Sequence, residues 1–115
     1  MTAGAVEVVL YHLSDDPAAV LTAYHESSRR MAGTPGLLGN RLLGAPGRPD
    51  CFVVVSRWAD WEAFERWEGG ARHRDQTAPL RPFRDTARER PFEIYRELAS
   101  YGAASREPDP TGASA

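Results

Sequence analysis

The segment AVEVVLYHL, residues 5–13, is followed directly by SDDP, residues 14–17, and these two segments decide the fold. The first is rich in β-branched and aromatic side chains, which favours a β-strand. In the second, Asp16 can accept hydrogen bonds from the exposed amides of a helix start, and Pro17 fits the first helical position. A helix to about Met31 is therefore predicted to follow the strand at once. Helical spacing predicts its buried face to be Val20, Leu21, Tyr24, Ser28 and Met31.

The rest of the chain predicts a hairpin, a second helical region and a last strand. Asp60 can cap the second helix, and Gly69-Gly70 ends or kinks it. A further helical stretch at 71–77 leads through a Pro-interrupted segment to the last strand. The remaining strands are predicted at residues 37–44, 51–58 and 92–100, the first two joined as a hairpin. The order β-α-β-β-α-β is the ferredoxin-like arrangement of the α+β class, with an antiparallel sheet and both helices on one face.

Composition and charge narrow the functional classes. The 115 residues suffice for one domain, predicted at 1–102, while 103–115 lack large apolar side chains and are predicted to be disordered. The net charge of −2 offers no general basic field for nucleic acid. The single cysteine, Cys51, excludes an intramolecular disulfide and a multi-thiolate metal site. No apolar run reaches the roughly 18 residues of a membrane span, so we expect a cytoplasmic protein that contacts neither membrane nor nucleic acid.

The predicted strands are apolar on both faces. In the first strand, Val6, Val8 and Leu10 point one way, while Val9 and Leu13 point the other. An antiparallel sheet with one solvated face should instead alternate between apolar and polar residues. The predicted helices cover only one face, and a second copy of the sheet is the simplest cover for the other. The pattern therefore predicts a homodimer whose sheets meet face to face as a barrel.

Four short motifs resemble the antibiotic biosynthesis monooxygenase family. They are PGLLG at 35–39, FVVVSRW at 52–58, WEAFERW at 61–67, and then His73. The resemblance covers roughly residues 5–100, and it implies a dimeric α+β barrel. It also implies a cofactor-independent monooxygenase that oxidises an anthrone-like or phenolic polycyclic polyketide with O2 in antibiotic biosynthesis.

Two other activities fall within this resemblance. One is oxidative haem degradation, and the other is non-oxidative work such as guiding the cyclisation of a polyketide. The anthrone oxygenases have an Asn and a Tyr where this sequence has Val54 and Phe64, so only Trp58 matches that set. The haem degraders have an axial His where this sequence has Thr77, which disfavours their chemistry. A non-oxidative cyclase or binding module remains the alternative.

The resemblance and the residue chemistry together predict a site. His73 is the predicted proton acceptor or shuttle, because an unperturbed histidine titrates near pH ~6.5. Deprotonating a phenol or anthrone leaves an electron-rich anion that can reduce O2 directly, so no metal or other cofactor is expected. Trp58 and Trp67 are grouped with His73 in the catalytic set as cavity walls, because flat polycyclic ligands suit aromatic walls. The predicted substrate-binding residues are Asn40, Phe64, Arg84 and Tyr95.

Several of these residues have structural alternatives. Aromatic residues at helical spacing also fill cores, and Asn40 also suits an edge or a dimer contact. Arg84 and Arg81 can equally form salt bridges on a solvated face. His12 and His25 are assigned to structure or surface. The Gly69-Gly70 break is predicted to fold the chain back, so that His73 and Trp67 reach the same opening between the second helical region and the sheet.

Overall fold

The strands of the computed structural model form an antiparallel sheet in the order β2-β3-β1-β4. The structure describes residues 4–90 and 92–102. Its elements are β1 (Val6–Leu13), α1 (Pro17–Met31), β2 (Leu37–Ala45), β3 (Arg48–Trp58), α2 (Trp61–Glu68), α3 (His73–Thr77), a 3-10 helix (Ala78–Phe83) and β4 (Phe92–Arg96). This confirms the predicted ferredoxin-like α+β fold. The predicted disorder of 103–115 lies outside the described residues.

Both predicted helix starts carry the expected caps. The Asp16 side chain accepts a hydrogen bond from the Ala19 amide at 3.1 Å, and Pro17 takes the first position of α1. The Asp60 side chain accepts from the Ala63 amide at 2.8 Å and begins α2. These caps satisfy amides that have no partner within their helix, and so they fix where each helix starts.

Three details differ from the sequence prediction. Strand β3 begins at Arg48 rather than at residue 51, because the turn occupies only residues 46–47 and the hairpin is longer. Strand β4 ends at Arg96, earlier than predicted. Leu21 is 48% exposed, and the buried face of α1 is Val20, Ala23, Ser27 and Met31. This face contacts α3, where the Ser27 hydroxyl donates a hydrogen bond to the Gln76 carbonyl at 2.7 Å.

The main core lies between the sheet and α2. Its buried members are Val6, Val8, Met31, Trp58, Ala63 and Phe64. The opposite sheet face, which we call the outer face, carries both apolar and charged side chains. Arg57 pairs there with Glu7 at 3.0 Å and with Glu97 at 2.8 Å, while Val9 and Val53 are half-buried beside them. The outer face is therefore less uniformly apolar than the alternation argument predicts. No helix in the described ranges is both long and apolar enough to cross a membrane.

The turn after α1 depends on two glycines with positive φ. Gly33 has φ 82° and open space around it, whereas Gly36 has φ 83° and lies against Ala63 of α2. We expect Gly36→Ala to lower the free energy of unfolding by about 2–4 kcal/mol, because left-handed strain adds to a collision with Ala63. Gly33→Ala carries the strain alone and should cost about 1 kcal/mol.

Urea unfolding of both variants measures this difference. Because the two glycines share the same backbone conformation, the larger loss in Gly36→Ala reports the close approach of the turn to α2. Equal losses would show that α2 moves freely away from the turn, contrary to the packing described here.

Candidate active site

A cavity of about 240 Å³ lies between the helix-facing side of the sheet and the helices. Side chains from every strand and from α1, α2, α3 and the 3-10 helix line it. The predicted site residues that it brings together are Asn40, Phe64, Trp67, His73 and Arg84. A wider, more open depression of about 410 Å³ lies on the other side of Trp67 and His73, toward Arg30 and Arg66. The first cavity is the candidate site, because it is the less open of the two and because buried polar groups and aromatic walls converge on it.

Trp67 and His73 are in ring contact at the edge of this cavity. Their ring centroids are 5.0 Å apart and their planes are nearly perpendicular, at 81°. The Trp67 indole Nε1 donates to Oε1 of Gln76 at 2.7 Å, and Nε2 of Gln76 donates to the Arg30 carbonyl at 2.9 Å. Helix α2 thus ends at Gly69, and the chain turns so that α3 contacts Trp67 of α2. Sequence reasoning missed Gln76, whose only signal was its place three residues after His73 on the same helix.

His73 has the properties of a proton acceptor at neutral pH. The side chain is half-buried, and burial is the main cause that lowers its pKa below the ordinary histidine value. The Arg81, Arg74 and Arg84 charges lower the pKa further, whereas Glu68 opposes them. A neutral imidazole in a cavity wall can take a proton from a bound ligand.

Asn40 presents its amide to the cavity from β2. Its Oδ1 accepts hydrogen bonds from the Tyr24 hydroxyl and, at 3.3 Å, from the Ser28 hydroxyl. These two contacts from α1 hold the side chain in place. Within the described part of the chain no acceptor is paired with the Asn40 amide N–H groups, so they can donate to a ligand oxygen.

His12 is a further candidate that the sequence analysis assigned to structure or surface. It is buried, at 1% exposure, and it also lines the cavity from β1. Among the described residues neither of its ring nitrogens has a hydrogen-bond partner of good geometry. Burial, and then the Arg84 charge, lower its pKa to about 4, and the Leu10 backbone opposes this only in part. Its signal in the sequence was the alternation that places it on the same strand face as Val8 and Leu10.

Two arginines line the cavity between His12 and His73, Arg84 next to His12 and Arg81 next to Arg84 on the side toward His73. Arg84 forms an isolated β-bridge with His12, and the Asp85 amide donates to the Tyr11 carbonyl at 2.9 Å, which holds this segment against β1. The Nε atoms of Arg81 and Arg84 are buried and have no hydrogen-bond partner among residues 4–90 and 92–102. No group of three or more His, Cys, Asp or Glu side chains in those ranges is placed to hold a metal ion.

Known proteins share both sequence and fold with this chain. The sequence model described as antibiotic biosynthesis monooxygenase matches residues 5–77. The chain belongs to this family. The match ends before the 3-10 helix, so Arg81 and Arg84 lie beyond it.

The individual proteins to which this family member is similar have low sequence identity with it. Protein SchA of Streptomyces halstedii is 29% identical over 93 residues, which cover 77% of this chain and 24% of SchA. The chain thus spans about a quarter of that curated relative. SnoaB, a cofactor-independent oxygenase from Streptomyces nogalater, has a TM-score of 0.67 at 16% identity, covering 85% of this chain and 96% of SnoaB. A dimeric ferredoxin-like protein of unknown function from Thermobifida fusca has a TM-score of 0.61 at 20% identity, covering 84% and 93% of the two chains. Both structures share the fold.

The remaining predicted site residues of this family member lie outside the cavity lining. Trp58 is fully buried behind it, where Nε1 donates to the Ser56 hydroxyl at 3.0 Å and the ring packs on Phe64 and Trp67. Tyr95 is 55% exposed on the outer face, and its hydroxyl donates to Glu93 at 2.8 Å. The strand register explains why Tyr95 faces away from the cavity. Tyr95 pairs with Glu7, and the next residue of β1, Val8, points into the cavity, so Glu7 and Tyr95 lie on the opposite face. Neither residue therefore lines the cavity that brings the other predicted site residues together.

Acidification should destabilise this family member through His12. With a folded pKa of about 4 and an unfolded value near ~6.5, the unfolded chain takes up a proton that the folded chain does not. The stability that depends on neutral His12 is complete above pH ~6.5 and is lost as the pH falls toward 4. We expect the free energy of unfolding to fall by about 1–2 kcal/mol between pH 7 and pH 5, with His73 acting in the same direction.

Urea unfolding at pH 7, 6 and 5 measures this loss. His12→Phe removes the titrating group and should flatten the pH dependence, whereas His25→Phe, at an exposed position of α1, should leave it unchanged. If the free energy of unfolding of His12→Phe fell with pH as steeply as that of the wild-type chain, groups other than His12 would be responsible for the proton uptake.

Proposed function

We propose that this family member is a cofactor-independent monooxygenase that oxidises an anthrone-type or phenolic aromatic polyketide. The observation that supports this most directly is the half-buried His73, with its lowered pKa, in ring contact with Trp67 at the wall of the cavity. In such a site Trp67 can pack on a flat aromatic substrate while His73 accepts a proton from that substrate. The family assignment and the fold shared with SnoaB, a cofactor-independent oxygenase, support the same chemistry.

The proposed reaction converts a ring CH2 group and O2 into a ring C=O group and water. His73 accepts a proton from the substrate, and the resulting carbanion passes one electron to O2. The two radicals combine into a peroxide anion at the same carbon, and protonated His73 returns its proton to give the hydroperoxide. Loss of water, with the remaining C–H proton and the peroxide oxygen leaving together, gives the quinone. The Asn40 amide is placed to donate to a substrate oxygen as negative charge develops there.

Oxygen uptake with a defined anthrone tests this proposal. The purified chain is mixed with 1,8-dihydroxyanthrone in buffer that contains a chelator and no flavin, and uptake is corrected for spontaneous oxidation without protein. We expect uptake that is proportional to protein concentration, with the anthraquinone as product. Uptake at the protein-free rate with every anthrone and naphthacenone offered would reject the proposed oxidation.

A non-oxidative cyclase is the second candidate, and the cavity lining favours it in one respect. Val54 and Phe64 line the cavity where the anthrone oxygenases have the Asn and Tyr named above, so those polar groups are not supplied. A cyclase needs to position and deprotonate a polyketide but does not need to control O2. Product formation from a linear polyketide under argon would favour this candidate over the oxygenase.

We also propose that the chain acts as a homodimer through the outer face of its sheet. Val9 and Val53 remain half-buried on that face, and the Thermobifida fusca relative is a dimeric ferredoxin-like protein. Sedimentation equilibrium at micromolar concentration should show twice the chain mass. A specific dimer interface of this kind is expected to bury at least ~1,000 Å² in total. Val53→Glu should yield monomers, whereas Leu21→Glu on α1 should leave the dimer intact. A wild-type monomer at these concentrations would refute the dimer.

A further inference from the structure

The cavity contains a buried polar group that the proposed oxidation does not use. His12 is 1% exposed and lines the cavity from β1. Neither ring nitrogen has a hydrogen-bond partner of good geometry among the described residues, and the Leu10 backbone provides only a weak contact. Buried polar side chains are nearly always hydrogen-bonded, so such a histidine suggests a missing partner. A ligand in the cavity is the partner that the geometry allows.

The charges around His12 indicate the sign of that ligand. Arg84 adjoins His12, Arg81 adjoins Arg84 on the side toward His73, and the buried Nε atoms of both arginines also have no partner in the described ranges. The acidic side chain in the lining, Glu68, is exposed on α2 and interacts with His73. The salt bridges formed in the described part of the chain use other arginines: Arg29, Arg30, Arg57 and Arg88.

We propose that His12, Arg81 and Arg84 form an anion-binding subsite that receives a carboxylate carried by the aromatic ligand. This deepens the proposed function and rests on it only in that the ligand occupies the same cavity. An arginine fork suits a planar carboxylate, with two parallel hydrogen bonds, and buried charge-assisted hydrogen bonds are the strong ones. The neighbouring lining is apolar, from Leu80, Phe92 and Phe64, so the carboxylate must be attached to an apolar body.

The subsite also orients the ligand. The Arg84 charge lowers the pKa of both His12 and His73, so this guanidinium lies within electrostatic reach of both ends of the cavity. A carboxylate held by Arg84 and Arg81 directs the rest of the ring system toward Trp67 and His73. The class of substrate is therefore an aromatic acid rather than a neutral polyphenol.

Two anthraquinones that differ in one substituent test the subsite. Rhein carries a carboxylate where aloe-emodin carries a hydroxymethyl group on the same ring system. Binding to the full chain is measured by calorimetry at pH 7.5 and constant ionic strength. We expect rhein to bind about tenfold to hundredfold more tightly than aloe-emodin.

Matched variants locate the preference. Arg84→Gln and Arg81→Gln should each reduce the rhein preference at least fivefold and leave aloe-emodin binding within twofold. Arg66→Gln, on α2 and outside this cavity, should change neither affinity. Circular dichroism melting checks that each variant is folded, and Arg81→Gln keeps the test available if Arg84→Gln fails to fold.

Three outcomes would overturn the subsite. They are equal binding of rhein and aloe-emodin by the wild-type chain, an unchanged rhein preference in both arginine variants, and binding of inorganic phosphate as tight as that of rhein. Both probes are already quinones and need no O2. A chain that keeps the rhein preference but shows no O2 uptake with the anthrone that carries the rhein carboxylate would thus reject the proposed oxidation alone.

Discussion

Under the proposed function, we expect replacement of His73 by alanine to lower the rate of anthrone-dependent O2 uptake by about 10²–10⁴-fold, the usual contribution of a positioned acid or base. The reason is that His73 combines a lowered pKa with a fixed place against Trp67, at a centroid distance of 5.0 Å. The substrate proton then has no acceptor except water. Single-turnover oxidation, followed by quinone absorbance under excess protein, measures the chemical step without product release.

Two controls make this result specific. His25→Ala removes an exposed histidine from α1 and should leave turnover unchanged. Trp67→Phe keeps the proton acceptor but trims the wall, and it should raise KM more than it lowers kcat. Added imidazole should restore part of the His73→Ala activity. A loss of less than threefold in folded His73→Ala would remove this residue from the mechanism.

Replacing Trp58 by alanine should cost about 3–5 kcal/mol of unfolding free energy, the range for a fully buried large aromatic residue. Trp58 has 0% exposure, and its ring packs on Phe64 at 5.7 Å and Trp67 at 5.0 Å between centroids. Removing it leaves a void behind the cavity wall, so the wall itself should loosen. Urea unfolding gives the loss directly.

Trp61→Ala, three residues later at the first position of α2, provides the comparison. Trp61 is only partly buried at the edge of the core, so its loss should be clearly smaller than that of Trp58→Ala. Ser56→Ala removes only the acceptor of the Trp58 Nε1 hydrogen bond and should cost about 1–3 kcal/mol. A loss below 1 kcal/mol in Trp58→Ala would contradict a structural role for this residue.

Local chemistry made the order of elements predictable. Asp16 with Pro17, and Asp60 before an aromatic helix, carry the caps that start α1 and α2, so neighbouring residues alone define those boundaries. The break at Gly69-Gly70 likewise indicated that His73 could approach Trp67. Each of these features depends on residues close in the chain, which is why the sequence could reveal them.

The site depended on contacts that are distant in the chain. Whether Tyr95 faces the cavity or the outer face follows from its pairing with Glu7, a register that no local pattern specifies. The approach of Arg84 to His12 requires the 3-10 helix to return to β1, although its Pro-interrupted sequence indicated only an irregular segment. The sequence therefore predicts only a structural or surface role for His12, although alternation along β1 places it on the same face as Val8 and Leu10.

The short segment from α3 through the 3-10 helix supplies one whole side of the cavity while contributing little to the main core. It is attached at both ends, by the Ser27 hydroxyl on the Gln76 carbonyl and by the Asp85 amide on the Tyr11 carbonyl. About a dozen consecutive residues, 73–84, thus form part of the cavity lining on a scaffold that folds around Trp58 and Phe64. Exchange of that segment between homologues, with both attachment points retained, is a direct route to engineered substrate range.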